Sequence, residues 1–178
     1  MGKKHRPAIL DEAFDDLTAK IVADRDPLVV VLRGHLITEL MVNEIYLTFS
    51  KLGAPKSQLR EVLDATYKNK IKALYEGGML PMRHYAPLKT LNRLRNRFAH
   101  LPLKTELDPA DESRLLQSFT PEDQESIKAG VREARALKPH MTLTYCLLKM
   151  YVTLRTIVDK AREDAPFRFE DPQIDEDD

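Results

Sequence analysis

The 178-residue chain contains no tryptophan and a single cysteine, Cys146. One thiol cannot form an internal disulfide, and so few cysteines are typical of proteins in a reducing compartment. The first sixteen residues contain no apolar run long enough for a signal peptide. The most apolar stretch, residues 28–49, is interrupted by Arg33, His35, Glu39 and Glu44, which argues against a membrane span. We therefore expect a cytoplasmic protein with no membrane segment.

The familiar catalytic motifs are also missing. The sequence has no glycine-rich phosphate loop, no CxxC pair, no GxSxG elbow and no HExxH motif. Any chemistry must therefore rest on histidine and arginine, supported by asparagine or glutamate, and we expect neither a cofactor nor a metal. Cys146 falls on the apolar stripe of the last predicted helix, which indicates packing rather than a nucleophile.

Amphipathic segments separated by proline and glycine make up most of the chain. Because no strand-like alternation or internal repeat competes with them, we predict one all-α domain over residues 1–164, a bundle of five to six helices. The predicted helices cover residues 10–23, 28–51, 57–75, 87–101, 120–137 and 139–163. Residues 104–119 have the pattern of an acidic loop. Residues 165–178 form an acidic tail without periodicity, which we expect to be disordered.

The predicted helix at residues 28–51 is apolar on nearly every side, which favours the centre of the fold or a dimer seam. One polar line interrupts it, because His35, Glu39 and Asn43 recur every four residues. Buried polar groups need partners, since an unsatisfied one costs about 1 to 3 kcal/mol. The line is half of a metal site, a set of internal hydrogen bonds, or support for a neighbouring helix. No third ligand has a convincing spacing, so we favour the last two.

The chain is organised around the predicted helix at residues 87–101. One stripe at helical spacing is apolar and consists of Leu88, Leu91, Leu94, Phe98 and Leu101. The opposite face carries Lys89, Arg93, Asn96 and His100, with Arg95 and Arg97 on its flanks. Asn96 is close enough in sequence to hydrogen-bond the His100 ring. Pro102 places His100 near the helix end, where exposed carbonyls stabilise an imidazolium.

These positions predict different effects on stability. Phe98 is on the apolar stripe, so Phe98→Ala should cost about 3 to 5 kcal/mol. Arg97 projects from a flank of the polar face, so Arg97→Ala should change stability by less than about 0.5 kcal/mol.

Acidic residues are absent between Glu76 and Glu106. The basic residues in that gap are Arg83, His84, Lys89, Arg93, Arg95, Arg97, His100 and Lys104. On a chain whose net charge is zero, such a patch indicates an anionic partner, usually a phosphate. The alternative is a solvated basic face that pairs with acids elsewhere in the fold.

Arg95, the polar Asn96 and His100, within an all-α chain of this size, resemble the defining motif of HEPN domains (higher eukaryotes and prokaryotes nucleotide-binding): an arginine, a polar residue, a short spacer and a histidine. Residues 67–102, which end in RNRFAHLP, are similar to the mannitol operon repressor-like branch. There a helix leads through a short turn into a second helix that ends RNxFAH. The resemblance follows the helix order over residues 28–160 and is close over residues 67–102.

This resemblance implies a HEPN-like bundle and a composite site across a homodimer. In catalytic members, two facing motifs form one metal-independent endoribonuclease site. His100 would then act on the RNA 2′-hydroxyl or the leaving oxygen, Arg95 would stabilise charge on the phosphate, and Asn96 would orient the pair. The cations of Lys89, Arg93 and Arg97 would bind the RNA backbone.

Three functions remain open at the level of sequence. The chain is an RNA-cleaving enzyme of toxin or defence type, whose partner would be an antitoxin. It is otherwise a non-catalytic mannitol operon repressor-like regulator that binds protein or nucleic acid. The third alternative is a structural helical partner, in which Arg95, Asn96 and His100 cap and cross-link helices at a dimer interface.

Overall fold

A computed structural model of the chain describes residues 16, 19–50, 64–100, 107–134 and 140–164. These residues contain six helices with defined ends, preceded by a helical segment at residues 19–23. The six are α1 (Pro27–Ser50), α2 (Tyr67–Glu76), α3 (Met82–His100), α4 (Pro109–Gln117), α5 (Pro121–Ala134) and α6 (Met141–Asp164). No strand occurs in the described ranges. The all-α prediction is confirmed. With the segment at residues 19–23 counted, the described residues contain seven helices, which exceeds the five to six that were predicted.

The core forms around the two longest helices, α1 and α6, which pack along each other. The predicted stripe of α6 is buried at Leu143, Leu147, Met150, Leu154 and Val158. Gly34 marks the closest approach, since a Cβ at this position would lie 2.5 Å from the Leu147 side chain. Within the described part of the chain, no helix combines the length and hydropathy that crossing a bilayer requires.

Helices α1 and α5 each begin at a proline that follows a small polar capping residue. Asp26 accepts a hydrogen bond from the Leu28 backbone N–H at 2.8 Å, and Pro27 occupies the first turn of α1. At α5, Thr120 Oγ1 accepts from the Asp123 backbone N–H at 3.3 Å. In both places a small polar residue before proline satisfies amide groups that have no partner within the helix.

The α2–α3 hairpin differs from the prediction at both helix starts. Residues 64–66 are not helical and Thr66 caps α2, so the helix predicted over residues 57–75 begins at Tyr67; Ser57 lies outside the described residues. Helix α3 begins at Met82, after Pro81 has accepted the first backbone bonds, which places Pro87 inside the helix. The prediction wrongly took Pro87 as the first residue of this helix, because proline is common in the first turn of a helix.

Helix α4 corrects the prediction of an acidic loop over residues 104–119. The side chain of Asp108 caps it by accepting from the Ala110 backbone N–H at 2.9 Å, and Pro109 is its first residue. Leu115 is fully buried and anchors the helix. The same Asp-Pro pair that begins α1 therefore stands before α4, in a segment whose high density of acidic residues favoured a loop.

Candidate functional site

The buried and open faces of α3 are largely as predicted. Leu88, Leu91, Leu94 and Phe98 are buried, while Leu101 lies outside the described residues. Asn92 is buried as well, which the sequence pattern did not predict. The other side of α3 exposes Arg93, Arg95 and His100, and leaves Lys89, Asn96 and Arg97 half-buried.

Arg95 and Asn96 form a hydrogen-bonded pair near the end of α3. Arg95 Nη1 donates to Asn96 Oδ1 at 2.9 Å, so this amide oxygen binds the guanidinium rather than the His100 ring. His100 is the last residue of α3 and is exposed. Because each helical residue rises about 1.5 Å, Arg95 and His100 lie about 7.5 Å apart along the axis. The motif therefore presents a guanidinium, an amide and an imidazole within one and a half turns.

Further along the same face, part of the basic patch is open to an anion. Within the described residues no carboxylate pairs with Lys89, Arg93 or Arg95. The Lys89 ammonium lies 5.6 Å from the centre of the Tyr85 ring, a contact that leaves its charge available. These three side chains fit the anionic-partner interpretation of the patch.

Arg97 is the exception, because its guanidinium pairs with a carboxylate; its RNA-binding role stays a prediction. Its Nη1 forms an ion pair with Oδ1 of Asp111 on α4. Asp111 is buried to 6% exposure and also accepts from Arg114 Nη1 at 3.3 Å. A buried carboxylate needs such partners, so Arg97 holds α3 against α4. Arg97 therefore fits the alternative interpretation of the basic patch, in which a basic side chain pairs with an acid elsewhere in the fold.

His35 takes part in a buried polar network that joins α1 to α3. The residue is 3% exposed, and its Nε2 lies 3.2 Å from Oδ1 of Asn92. Because an amide oxygen only accepts, Nε2 carries the proton in this arrangement. Nδ1 faces Glu39 Oε2 at 3.8 Å. Asn92 lies one turn before Asn96, so the predicted support residues His35 and Glu39 lie beneath the motif.

Helix α2 completes the network. The buried Lys70 places Nζ 4.0 Å from Glu39 Oε1, and the Tyr67 ring lies 4.4 Å from the His35 ring. Tyr67 donates its hydroxyl hydrogen to Thr38 at 3.0 Å. Asn43 is not part of this network, and its buried Oδ1 has no hydrogen-bond partner in the described structure. Within the described ranges, no three His, Cys, Asp or Glu side chains cluster closely enough to hold a metal ion.

Burial controls the proton affinities of these groups. Desolvation lowers the pKa of His35, and the nearby Arg95 charge lowers it further, against the raising effects of Asn92 and Glu39. The charge of Arg95 in the motif therefore affects the proton affinity of His35. Burial also raises the pKa of the Cys146 thiol, which keeps the sulfur protonated and excludes a thiolate nucleophile at neutral pH.

A second ionisable cluster, which the sequence did not predict, lies at the other end of α3. His84 accepts a hydrogen bond from Arg83 Nε at 3.2 Å, and Lys149 of α6 forms an ion pair with Asp123 of α5 at 2.8 Å. Desolvation lowers the pKa of His84. The cavity between them has a volume of about 10 Å³, room for about one water molecule. The cluster is therefore a packed junction of three helices.

An apolar strip on α1 remains in solvent. Leu32, Leu36 and Leu40 recur every four residues and are 39%, 55% and 44% exposed. We call this strip the leucine face. Its central residue adjoins His35 in sequence, so the leucine face borders the network beneath the motif.

Comparison of the chain with protein-family models, with curated proteins and with solved structures finds no match. The functional argument therefore rests on the geometry of α3 and on the motif that it carries.

The first prediction compares two neighbours on α3. Phe98→Ala should lower the free energy of unfolding by about 3 to 5 kcal/mol, because Phe98 is 7% exposed. Arg97→Ala should cost about 1 to 2 kcal/mol. This exceeds the change below about 0.5 kcal/mol expected from sequence, since the substitution removes one of two partners of Asp111, although the arginine is 40% exposed. Urea unfolding measures both values. An Arg97→Ala variant with unchanged stability would contradict the role of Arg97 in holding α3 against α4.

The second prediction concerns acid sensitivity. A histidine whose folded-state pKa lies below its unfolded value of about 6.5 stabilises the fold fully above pH 6.5, and this contribution is lost as the pH falls. His35 and His84 are both of this kind. The melting temperature should therefore fall between pH 7.5 and pH 5, and His35→Gln should reduce the fall. His84→Gln is the matched variant for the second histidine. If neither substitution changes how the melting temperature depends on pH, the assignment of the acid sensitivity to these two histidines is wrong.

Proposed function

We propose that this chain is a HEPN-like, metal-independent endoribonuclease of toxin or defence type that acts in the cytoplasm. The observation that carries the proposal is the arrangement of Arg95, Asn96 and His100. An exposed imidazole and an exposed guanidinium, the latter bonded to an amide, share the last turns of one helix. Arginine and histidine are the groups that RNA transesterification needs, because one stabilises phosphate charge and the other transfers protons.

The proposed reaction is an in-line attack of the RNA 2′-hydroxyl on the adjacent phosphorus. The 2′ oxygen forms a bond to phosphorus while the bond to the 5′ oxygen breaks. The products are a 2′,3′-cyclic phosphate and a 5′-hydroxyl. Arg95 would stabilise the charge that builds on the phosphate oxygens, and Asn96 holds the guanidinium in place.

Two protons move in this reaction, one from the 2′-hydroxyl and one to the leaving oxygen. Each chain offers one exposed histidine in the motif, so two copies of His100 would supply the base and the acid. This requirement supports a homodimer in which the two motifs face each other. The leucine face of α1 provides apolar surface that a second copy would cover.

The second candidate is a non-catalytic, mannitol operon repressor-like regulator or interaction module. The leucine face favours it, because the same exposed strip would bind an antitoxin or another regulatory protein. The open cations would then hold a nucleic acid or an acidic partner without cleaving it. Cleavage of RNA by the purified chain separates the two candidates.

The third prediction tests the chemistry. The parent protein should cleave single-stranded RNA in the presence of EDTA, and His100→Ala and Arg95→Ala should each abolish cleavage while leaving the fold intact. Asn96→Ala should reduce the rate less, because Asn96 positions Arg95. Arg93→Ala should weaken binding and flatten its salt dependence, without lowering the rate at saturation.

Arg132→Ala is the control for lost surface charge, since this exposed arginine lies on α5, away from the motif. Gel analysis of the product ends and thermal melts of each variant provide the measurements. A parent protein that leaves RNA uncut would favour the regulator.

The fourth prediction tests the dimer. Light scattering should give twice the chain mass of 20.5 kDa for the parent at micromolar concentration. Leu36→Lys should give a monomer, because it places a charge in the centre of the leucine face. Val152→Lys on α6 is the matched control, since Val152 is equally exposed at 58%. A monomeric parent would remove the composite site.

A further inference from the structure

A pair of stacked tyrosines lies on the motif-bearing side of the α2–α3 hairpin. Tyr75, near the end of α2, and Tyr85, near the start of α3, have ring centres 4.7 Å apart and planes inclined by 9°. Both side chains are half-buried. Tyr85 packs against the hydrophobic core, so it anchors the stack through α3.

This pair shares a helix face with the cations that lead to the motif. Tyr85, Lys89 and Arg93 recur every four residues on α3, and Asn96 and His100 continue the same side of the helix. Lys89 Nζ lies 5.6 Å from the centre of the Tyr85 ring. The two stacked rings and then two open cations therefore form one row that leads to Asn96 and His100.

Such a row has the two elements that bind an unpaired nucleic-acid strand. Cations track the phosphates, and aromatic side chains stack on bases of any sequence. Tyr85 lies about 15 Å from Arg95 along the helix axis. A stacked strand covers that distance in about four nucleotides, at about 3.4 Å each.

We propose that the Tyr75–Tyr85 stack is a nucleobase-binding subsite for single-stranded RNA. It holds an unpaired base about four nucleotides from the phosphate at Arg95, while Lys89 contacts the intervening backbone. The inference rests on the proposed function for the identity of the ligand. It adds a preference for unpaired bases, which the charges alone would not give.

A purely structural role makes a different prediction. If the stack only closes the α2–α3 hairpin, replacing a ring lowers stability and weakens binding of every anion alike. If it binds a base, replacing a ring weakens only ligands that carry bases. A binding experiment that varies the bases at constant phosphate number separates these outcomes.

The experiment uses fluorescence anisotropy and two single-stranded oligonucleotides of equal length. One is a 2′-O-methyl RNA, which cannot be cleaved because its 2′ oxygen is blocked, and the other is its fully abasic counterpart. The parent should bind the base-bearing strand at least about five-fold more tightly, the lower end of what one stacked base contributes. Tyr75→Leu and Tyr85→Leu should abolish most of this preference, and Tyr85→Phe should keep it.

Two controls complete the design. Lys89→Met should weaken binding of both strands by the same factor, because both carry the same phosphates. Tyr145→Leu is the matched tyrosine control, since Tyr145 is half-buried and packs on Gly130 at the α5–α6 contact. It should leave the preference unchanged.

Equal binding of both strands by the parent would overturn the subsite, as would a preference that persists in the folded Tyr75→Leu and Tyr85→Leu variants. If Tyr85→Leu does not fold, Tyr75→Leu decides the question. RNA that is bound with the expected preference but never cleaved would reject the endoribonuclease while supporting the subsite. Cleavage of RNA without a preference for the base-bearing strand would support the endoribonuclease and reject the subsite.

Discussion

The hydrogen bond between His35 and Asn92 acts with the buried apolar stripe of α3 to fix how this helix is turned about its axis. Both residues are buried, and in a medium of low dielectric an unmet polar group is costly. Turning α3 away from α1 would break this hydrogen bond and leave the imidazole of His35 and the amide of Asn92 each without this partner. The same rotation would move Arg95 and His100 relative to solvent. This polar contact and the buried apolar stripe of α3 therefore determine together which side chains the helix presents.

Much of this arrangement could be predicted from the sequence, because it depends on local rules. The apolar stripe of α3, the caps at Asp26 and Thr120 and the core stripe of α6 follow from periodicity and capping chemistry. Single side chains placed by contacts distant in sequence could not. Asn92 is an unremarkable polar residue until His35, 57 positions earlier, lies opposite it.

Arg97 shows the same limit. The residue that determines its role is Asp111, fourteen positions later, in a segment whose acidic composition predicted a loop. Once that segment is helical, its only buried carboxylate within the described residues faces α3. Charge patterning therefore correctly predicted a basic surface but could not separate a free cation from one held by a buried acid. The tertiary structure makes that distinction, because whether a cation pairs with an acid depends on which helices pack together.

The Arg97–Asp111 pair also has a consequence for the width of the basic surface. With Arg97 turned to α4, Lys89 and Arg93 remain open on one side of α3, whereas Arg95 lies about 160° around the helix from Arg93. On the helical wheel Arg97 lies between these two sides. The buried carboxylate on α4 thus interrupts what would otherwise be one continuous band of positive charge around α3.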